Sequence, residues 1–429
     1  MFRSNKIMTS QVSRFSHWAK LLSKFISIQL VVQALTLASG ILIVRNLNKQ
    51  EYALYTIATT MQGTMSLLAD MGISIGLSSI GGKVWQDRYR FGQLINTALY
   101  LRYYLAAASI TIVTPLSVWM LITNGASILY AILITATVLV GVYFQLTIGV
   151  YNIVPRLHSQ ISRIQKLDLV VNISRIALLG VSYLTFFNTV VVILASSLAL
   201  GIQQLVLKNL VNDNIDRRAS LNEEDKADIV KIIKQSSPNT IFYCFQGQIT
   251  VWLLSIFGNV QTVAEIGALG RLSVIFAVIG SVMTGIVLPS FARCQSPKSL
   301  FRLYTKILVT ICLFSATLVT ISVLFPTQLL WVIGSQYAHL QSELILVTVS
   351  SGLFFIVNTM WSLNTAKAWI ALVWLHIPGV ITAQIIVFFL IDVSTLKGAI
   401  IFGMAPLIPG AILNLYMTYK GFKNSNQDL

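Results

Sequence analysis

The sequence predicts an all-α integral membrane protein with about twelve transmembrane helices. The chain has 429 residues, of which 55% are hydrophobic and only 10% are charged. Soluble domains carry about 25% charged residues, so this composition excludes a soluble enzyme or an array of soluble domains. The apolar stretches are continuous rather than alternating, which favours helices over a β-barrel.

Twelve apolar segments approach or exceed the roughly 20 residues that a membrane-spanning helix needs. The first six predicted spans are residues 25–44, 52–80, 95–122, 128–154, 167–187 and 189–207. The second six are residues 240–258, 263–290, 307–325, 344–363, 368–391 and 396–419. Residues 1–24 precede the first span with five basic residues and Trp18, which predicts an amphipathic cytoplasmic lead-in and not a cleaved signal peptide.

The distribution of lysine and arginine predicts the orientation. With the N-terminus inside, 24 of the 30 basic residues fall in cytoplasmic segments, three fall outside and three lie within spans. Basic residues collect in cytoplasmic loops, so both termini are expected in the cytoplasm. The net charge of +16 is then a signal of topology, and nucleic acid is not an expected partner.

A polar segment at residues 208–238 divides the chain into two halves, residues 25–207 and 239–419, followed by a tail at residues 420–429. Ser220 to Glu223 has the pattern of a capping box, which indicates either a short amphipathic cytoplasmic helix or an ordinary solvated linker. Six helices in each half give both halves the same orientation, as in parallel repeats. Glu51 and Glu265 then occupy corresponding positions.

One run of residues in the first half resembles a known family. The run has the form R-x-L-x-x-x-E-Y-x-L-Y followed by D-x-G, and the second half adds residues 258–270 and 287–293. It resembles the Wzx-type polysaccharide and O-antigen flippases, the polysaccharide-transport branch of the MOP superfamily that also contains the MATE transporters. The chain departs from the family pattern at Asn48 and Ala53, where glycine is usual. The matching residues are Arg45, Leu47, Glu51, Tyr52, Leu54, Tyr55, Asp70 and Gly72.

This resemblance implies a fold and a function. The fold would be two six-helix bundles around a central cavity in the plasma (inner) membrane. The substrate would be a polyprenyl-pyrophosphate-linked oligosaccharide, moved from the cytoplasmic to the outer leaflet for cell-surface polysaccharide or lipopolysaccharide synthesis. Polysaccharide polymerase machinery is a candidate partner, beside the membrane lipids themselves.

Three arginines lie inside the predicted spans: Arg102, Arg175 and Arg271. A charge at the bilayer centre costs about 2.5–3.5 kcal/mol on insertion scales, so these side chains should face a protein or water-filled interior. They either line a cationic cavity that binds a pyrophosphate, or reach the headgroups or an internal ion pair. Asp70 either pairs with one of them, carries a proton for coupling, or marks a polar helix break near Gly72.

Two glutamines within spans, Gln33 and Gln246, are candidate sugar contacts because an amide both donates and accepts hydrogen bonds. The alternative is that they join neighbouring helices. Arg45 and Glu51 flank the first outside turn and are expected to be structural, and Asp168 is expected at the membrane interface. The scattered histidines and cysteines match no metal or nucleotide motif, so no metal, cofactor or ATP motor is expected.

Two other functions remain open from the sequence. A MATE-like ion-coupled multidrug antiporter would favour acidic residues in the cavity, whereas the charges within these spans are mainly basic. A membrane glycan polymerase or ligase would need a large outside loop or an acidic catalytic loop. The longest predicted outside loop, residues 326–343, has Glu343 as its one acid, so an enzyme is not expected.

Overall fold

The computed structural model describes residues 27–294 and 296–427, and within these ranges the protein is helical and has no strands. The predicted lead-in at residues 1–24 lies outside the described residues. The helices of the first half are α1 (Ser27–Asn46), α2 (Lys49–Asp70), α3 (Ile73–Val84), α4 (Arg88–Thr123), α5 (Ile128–Tyr151), α6 (Ile153–Leu157), α7 (Ile161–Leu184) and α8 (Thr189–Val211).

The second half contains ten further helices. They are α9 (Glu223–Phe257), α10 (Val260–Gly270), α11 (Val274–Val282), α12 (Leu288–Arg293), α13 (Pro297–Leu324), α14 (Pro326–Ile333), α15 (Gln341–Ala366), α16 (His376–Leu390), α17 (Leu396–Met404) and α18 (Leu407–Gln427).

The described residues confirm the predicted number of spans. Eleven helices are long and apolar enough to cross a bilayer, and α2 and α3 together make a twelfth with a 45° bend. Below, the end of the molecule that holds the α1–α2 turn is called the outer end, following the predicted orientation. The opposite end, where α9 begins, is called the cytoplasmic end.

The bend between α2 and α3 comes from two residues with left-handed backbone conformations. Met71 has a φ of 34° and ends α2, and Gly72 has a φ of 98° and caps α3. Glycine adopts this region without the steric penalty of a Cβ. The hydroxyl of Ser236 in α9 donates to the carbonyl of Met71 at 3.0 Å, and a Cβ on Gly72 would overlap Ser236. The bend interrupts the span predicted over residues 52–80 and confirms a helix break near Gly72, one of the alternatives that the sequence left open.

Three predicted spans of the second half are also interrupted. The span at 263–290 contains a 3₁₀ turn at Arg271–Ser273 and a π-helical turn at Met283–Val287. The span at 368–391 is helical mainly from His376, because the segment before it is irregular, with a φ of 59° at Leu372. The last span breaks at Ala405, just before Pro406, which has no N–H to continue the helix.

Helix α9 joins the two halves. Asn222 caps its start by accepting a hydrogen bond from the Asp225 N–H. The helix continues without a break through Pro238, where a boundary between linker and second half was predicted. Arg90 of α4 anchors the first turn of α9 through a bidentate salt bridge to Asp225, with hydrogen bonds of 2.5 and 2.7 Å. Farther along, the thiol of Cys244 lies 3.8 Å from the Thr64 carbonyl in α2.

Two glutamates at the outer end reveal the internal repeat. In the first half, Glu51 accepts from the Tyr130 hydroxyl at 2.7 Å and from the Thr189 N–H at 2.8 Å. In the second half, Glu265 lies 2.8 Å from the His339 ring. Glu51 thus contacts Tyr130 at the start of the fourth span, and Glu265 contacts His339 two residues before α15, the fourth span of the second half, which is a correspondence expected for two parallel repeats.

We expect the substitution Glu51→Ala to lower the thermal stability of the purified protein. It would leave the Tyr130 hydroxyl and the Thr189 N–H without their acceptor, at a cost of about 1–3 kcal/mol. Thermal unfolding in detergent measures this, with Glu224→Ala as the control because Glu224 is an exposed acid in the first turn of α9. Equal melting temperatures for the two variants would contradict the role given to Glu51.

Candidate functional site

Two of the three predicted arginines meet at one tyrosine between the halves. Arg175 in α7 donates from Nη2 to the Tyr55 hydroxyl at 3.5 Å. Arg271, which follows α10, places its guanidinium carbon 5.5 Å from the centre of the Tyr55 ring and donates from Nε to the Tyr52 hydroxyl at 3.1 Å. The rings of Tyr52 and Tyr55 stack with their centres 5.8 Å apart. We call Arg175, Arg271, Tyr52 and Tyr55 the arginine–tyrosine site.

The part of the chain that the structure describes supplies no acidic partner for the charges of this site. Among the described residues, the ion pairs within 4.0 Å include no partner for Arg175 or Arg271. The Nε atom of Arg175 is buried and has no hydrogen-bond partner in the described chain. Arg175 and Arg271 are half-buried, and a cation partly removed from water without a counter-charge is costly, so the two guanidinium groups at one tyrosine form a site suited to an anion.

Backbone geometry lets Arg271 reach the first half. The 3₁₀ turn at Arg271–Ser273 interrupts the span at this point, and the side chain extends towards α1. A Cβ on Gly40 would lie only 3.2 Å from the Arg271 Cδ. A larger residue at Gly40 would therefore push the guanidinium away from the two tyrosines.

A polar cavity of about 290 Å³ lies inside the first bundle and includes Tyr55 and Arg175 in its wall. On α7, Asp168, Asn172 and Arg175 are spaced four and three residues apart, which places them on one helix face. The Thr36 hydroxyl of α1 lies 3.0 Å from the Asn172 carboxamide oxygen. The wall offers mainly carboxamides and hydroxyls; its other polar residues are Thr59, Gln62, Gln145, Ser196 and Gln203.

The third predicted arginine, Arg102, is placed elsewhere. It is buried in α4, and its Nη1 lies 3.3 Å from the Asp70 carboxylate at the end of α2. The Ser74 hydroxyl also donates to Asp70 at 2.6 Å. A Cβ on Gly149 of α5 would overlap the guanidinium. Arg102 and Asp70 thus form an internal ion pair, one of the arrangements that the sequence allowed for both residues.

The two predicted glutamines also differ in their surroundings. Gln246 in α9 makes two reciprocal carboxamide hydrogen bonds of 2.8 Å with Gln384 in α16. Its polar atoms are thereby occupied in joining two helices. Gln33 is half-buried on α1 and is not a wall residue of the cavity. A substrate-binding role for either glutamine remains a prediction.

Most of the cavity wall was not predicted from the sequence. Asp168 was expected at the membrane interface, and the structure shows that it also lines the cavity. The spacing of Asp168, Asn172 and Arg175 on one helix was a usable signal, because three polar side chains on one face of a span are unusual. Gln62, Gln145 and Gln203 come from three different helices, and only the packing brings them together.

Comparisons with known proteins show the fold. No family model and no curated protein matches the sequence. The inward-facing conformation of a multidrug resistance MATE family transporter of the MOP superfamily aligns with a TM-score of 0.70 and 16% identity, over 94% of this chain and 99% of that chain. The outward-facing conformation of such a MATE transporter gives a TM-score of 0.65 and 16% identity, over 95% of each chain.

A third similar structure is a MOP superfamily transporter from Pyrococcus furiosus, described as having a binding pocket of reverse polarity that suggests a different function. It aligns with a TM-score of 0.65 and 17% identity, over 93% of this chain and 94% of that chain. The protein therefore has the two-bundle fold of the MATE transporters, and these structural neighbours are transporters rather than enzymes.

We expect Asp70→Asn to destabilise the protein because it leaves Arg102 as a buried, unpaired cation. The free energy of unfolding should fall by about 3 kcal/mol, which is the lower end of the cost of breaking a buried ion pair, because Asp70 is partly exposed. Thermal unfolding measures it, and the double variant Asp70→Asn/Arg102→Gln should recover part of the stability. A melting temperature of Asp70→Asn equal to that of the unchanged protein would contradict this role of the ion pair.

Proposed function

We propose that this protein is a flippase of the plasma (inner) membrane that moves a polyprenyl-pyrophosphate-linked oligosaccharide from the cytoplasmic to the outer leaflet by alternating access. Both termini would lie in the cytoplasm. The observation that carries the proposal is the convergence of Arg175 and Arg271 on Tyr55 without an acidic partner.

A diphosphate suits the arginine–tyrosine site. Guanidinium groups bind phosphate oxygens through paired N–H donors, and such charge-assisted hydrogen bonds are about twice as strong as neutral ones. One arginine comes from each half of the chain, so an anion held by both would connect the two bundles. The Tyr52 and Tyr55 hydroxyls can donate to the same anion once the arginines turn towards it.

The polar cavity beside this site suits part of a glycan. Its volume of about 290 Å³ is close to the lower end of the range for small-molecule pockets, about 300 Å³. Carboxamides and hydroxyls pair with the alternating donors and acceptors of a sugar ring. The apolar polyprenyl chain needs no such cavity, because it can remain in the lipid while the polar head group crosses.

The alternative is a MATE-like multidrug antiporter, because the similar structures are described as multidrug resistance MATE transporters. A cationic drug would need acidic groups where it binds, whereas the arginine–tyrosine site presents two unpaired guanidinium groups. The Pyrococcus furiosus transporter described above indicates that this fold accommodates pockets of different polarity. A glycan polymerase or ligase remains the less favoured alternative, and polymerase machinery remains a proposed partner.

Deleting the gene in its host tests the proposal. Polyprenyl-pyrophosphate oligosaccharides are extracted and quantified, and surface polysaccharide is measured in the same cells. A complete, unpolymerised repeat unit that accumulates while surface glycan disappears supports the flippase. Unchanged lipid-linked pools with normal surface glycan contradict it, and drug accumulation assays then test the antiporter.

We expect Arg175→Gln and Arg271→Gln each to reduce glycan export by about tenfold or more when expressed in the deletion strain. Each removes a charge-assisted interaction worth about 1.5–3 kcal/mol, and 1.4 kcal/mol corresponds to tenfold in affinity. Arg163→Gln is the matched control, since Arg163 is an exposed arginine on the same helix as Arg175. Full export by both variants at normal membrane levels would remove the anion-binding role.

A further inference from the structure

The outer ends of the two halves are joined by a contact that occurs twice. In the first half, the connection between α4 and α5 contains Asn124, whose carboxamide donates to the Ser255 carbonyl of α9 at 3.1 Å and to the Ser255 hydroxyl at 2.8 Å. In the second half, the connection between α13 and α15 contains Gln336, whose carboxamide donates to the Val44 carbonyl of α1 at 3.0 Å.

The two contacts are equivalent under the internal repeat. Helices α1 and α9 are the first spans of their halves, and both donor residues lie between the third and fourth spans. Val44 and Ser255 each lie two residues before the last residue of their helix, Asn46 or Phe257. Carbonyl groups in the last turn of a helix have no intrahelical partner. Each half therefore binds the same free carbonyl of the other half with a carboxamide side chain.

Arg45 strengthens the contact on the second-half side. Its Nε donates to the Val332 carbonyl at 3.0 Å, and its Nη2 donates to the Trp331 carbonyl. These carbonyls end α14, where the helix dipole favours a cation. The guanidinium carbon also lies 4.9 Å from the centre of the Trp331 ring. Arg45 was expected from the sequence to be structural. The hydrogen bonds and the ring contact of its guanidinium described here all join the first half to the second.

We propose that these two contacts form a reciprocal clamp that holds the outer side of the protein closed, and that both must break before the outer side opens. The first clamp contact is Asn124 with Ser255; the second is Gln336 and Arg45 with Val44 and α14. The proposal rests on the alternating-access part of the proposed function. It does not depend on the substrate, because every contact lies within the chain.

The two clamp contacts differ in how easily water can replace them. Asn124 is 2% exposed. Breaking its hydrogen bonds therefore either exposes the carboxamide to water or leaves it buried without a partner. Arg45 is exposed, and its contacts compete with water and salt. Loss of either contact should raise the ratio of open to closed molecules by about tenfold, and loss of both should raise it further.

Distance measurements between the halves test the clamp without any transport assay. Spin labels are attached at Ile128 and Leu324, two exposed positions at the outer ends of α5 and α13. The native cysteines Cys244, Cys294 and Cys312 are first replaced by alanine or serine. Pulsed electron paramagnetic resonance of the full chain in lipid nanodiscs, without substrate, then gives the distribution of outer distances.

We expect Asn124→Ala and the double variant Arg45→Ala/Gln336→Ala each to shift this distribution towards longer distances. Asn46→Ala is the matched control: it also removes an outer carboxamide, but that side chain bonds within α1, to the Leu42 carbonyl at 2.7 Å. Unchanged distances in folded clamp variants overturn the proposal. If Asn124→Ala does not fold, the Arg45→Ala/Gln336→Ala variant, which changes one exposed and one half-buried side chain, decides the question alone.

The outcome is separable from that of the flippase proposal. A shifted distance distribution with normal lipid-linked pools in the deletion strain would support the clamp and reject the flippase. Unchanged distances with an accumulated repeat unit would reject the clamp and support the flippase.

Discussion

The cost of an unpaired charge in a membrane is the constraint on which the central features of this structure depend. It divides the three arginines of the spans into two kinds. Arg102 is neutralised within the protein by Asp70 at 3.3 Å, and its position is explained by that pair. Among the described residues, Arg175 and Arg271 have tyrosine partners and no acidic partner within 4.0 Å. This arrangement between the bundles is what makes the site suited to an anion.

The number of spans could be predicted because a span is recognised from the average hydrophobicity of about 20 residues, which a single polar or irregular residue changes little. Most of the interruptions could not, because each depends on a single backbone conformation. Asp70 and Gly72 did indicate a polar helix break within residues 52–80, but not the packing of Ser236 against Gly72 that accompanies it. The irregular segment before His376 is as apolar as a helix, so its composition carried no signal of its shape.

For the site, the sequence identified which side chains were too costly to face lipid but not which of them would meet. Arg271 and Tyr55 are more than two hundred residues apart, and their contact depends on how the halves pack. Tyr55 was noted for its place in a sequence pattern, not as the point where two arginines converge. The three glutamines of the cavity wall lie on separate helices, so no local spacing could have grouped them.

The unbroken helix α9 has a further consequence. Its 35 residues extend about 52 Å at 1.5 Å per residue, whereas the hydrocarbon core is about 30 Å thick. About two fifths of this length exceeds the hydrocarbon core, and Asp225, at the start of the helix, is anchored to Arg90. Near the other end of the helix, Ser255 accepts the hydrogen bonds of the first clamp contact. Because the helix between the two ends is continuous, a force that tilts its projecting part would also move Ser255 and strain the first clamp contact at the opposite end of the molecule.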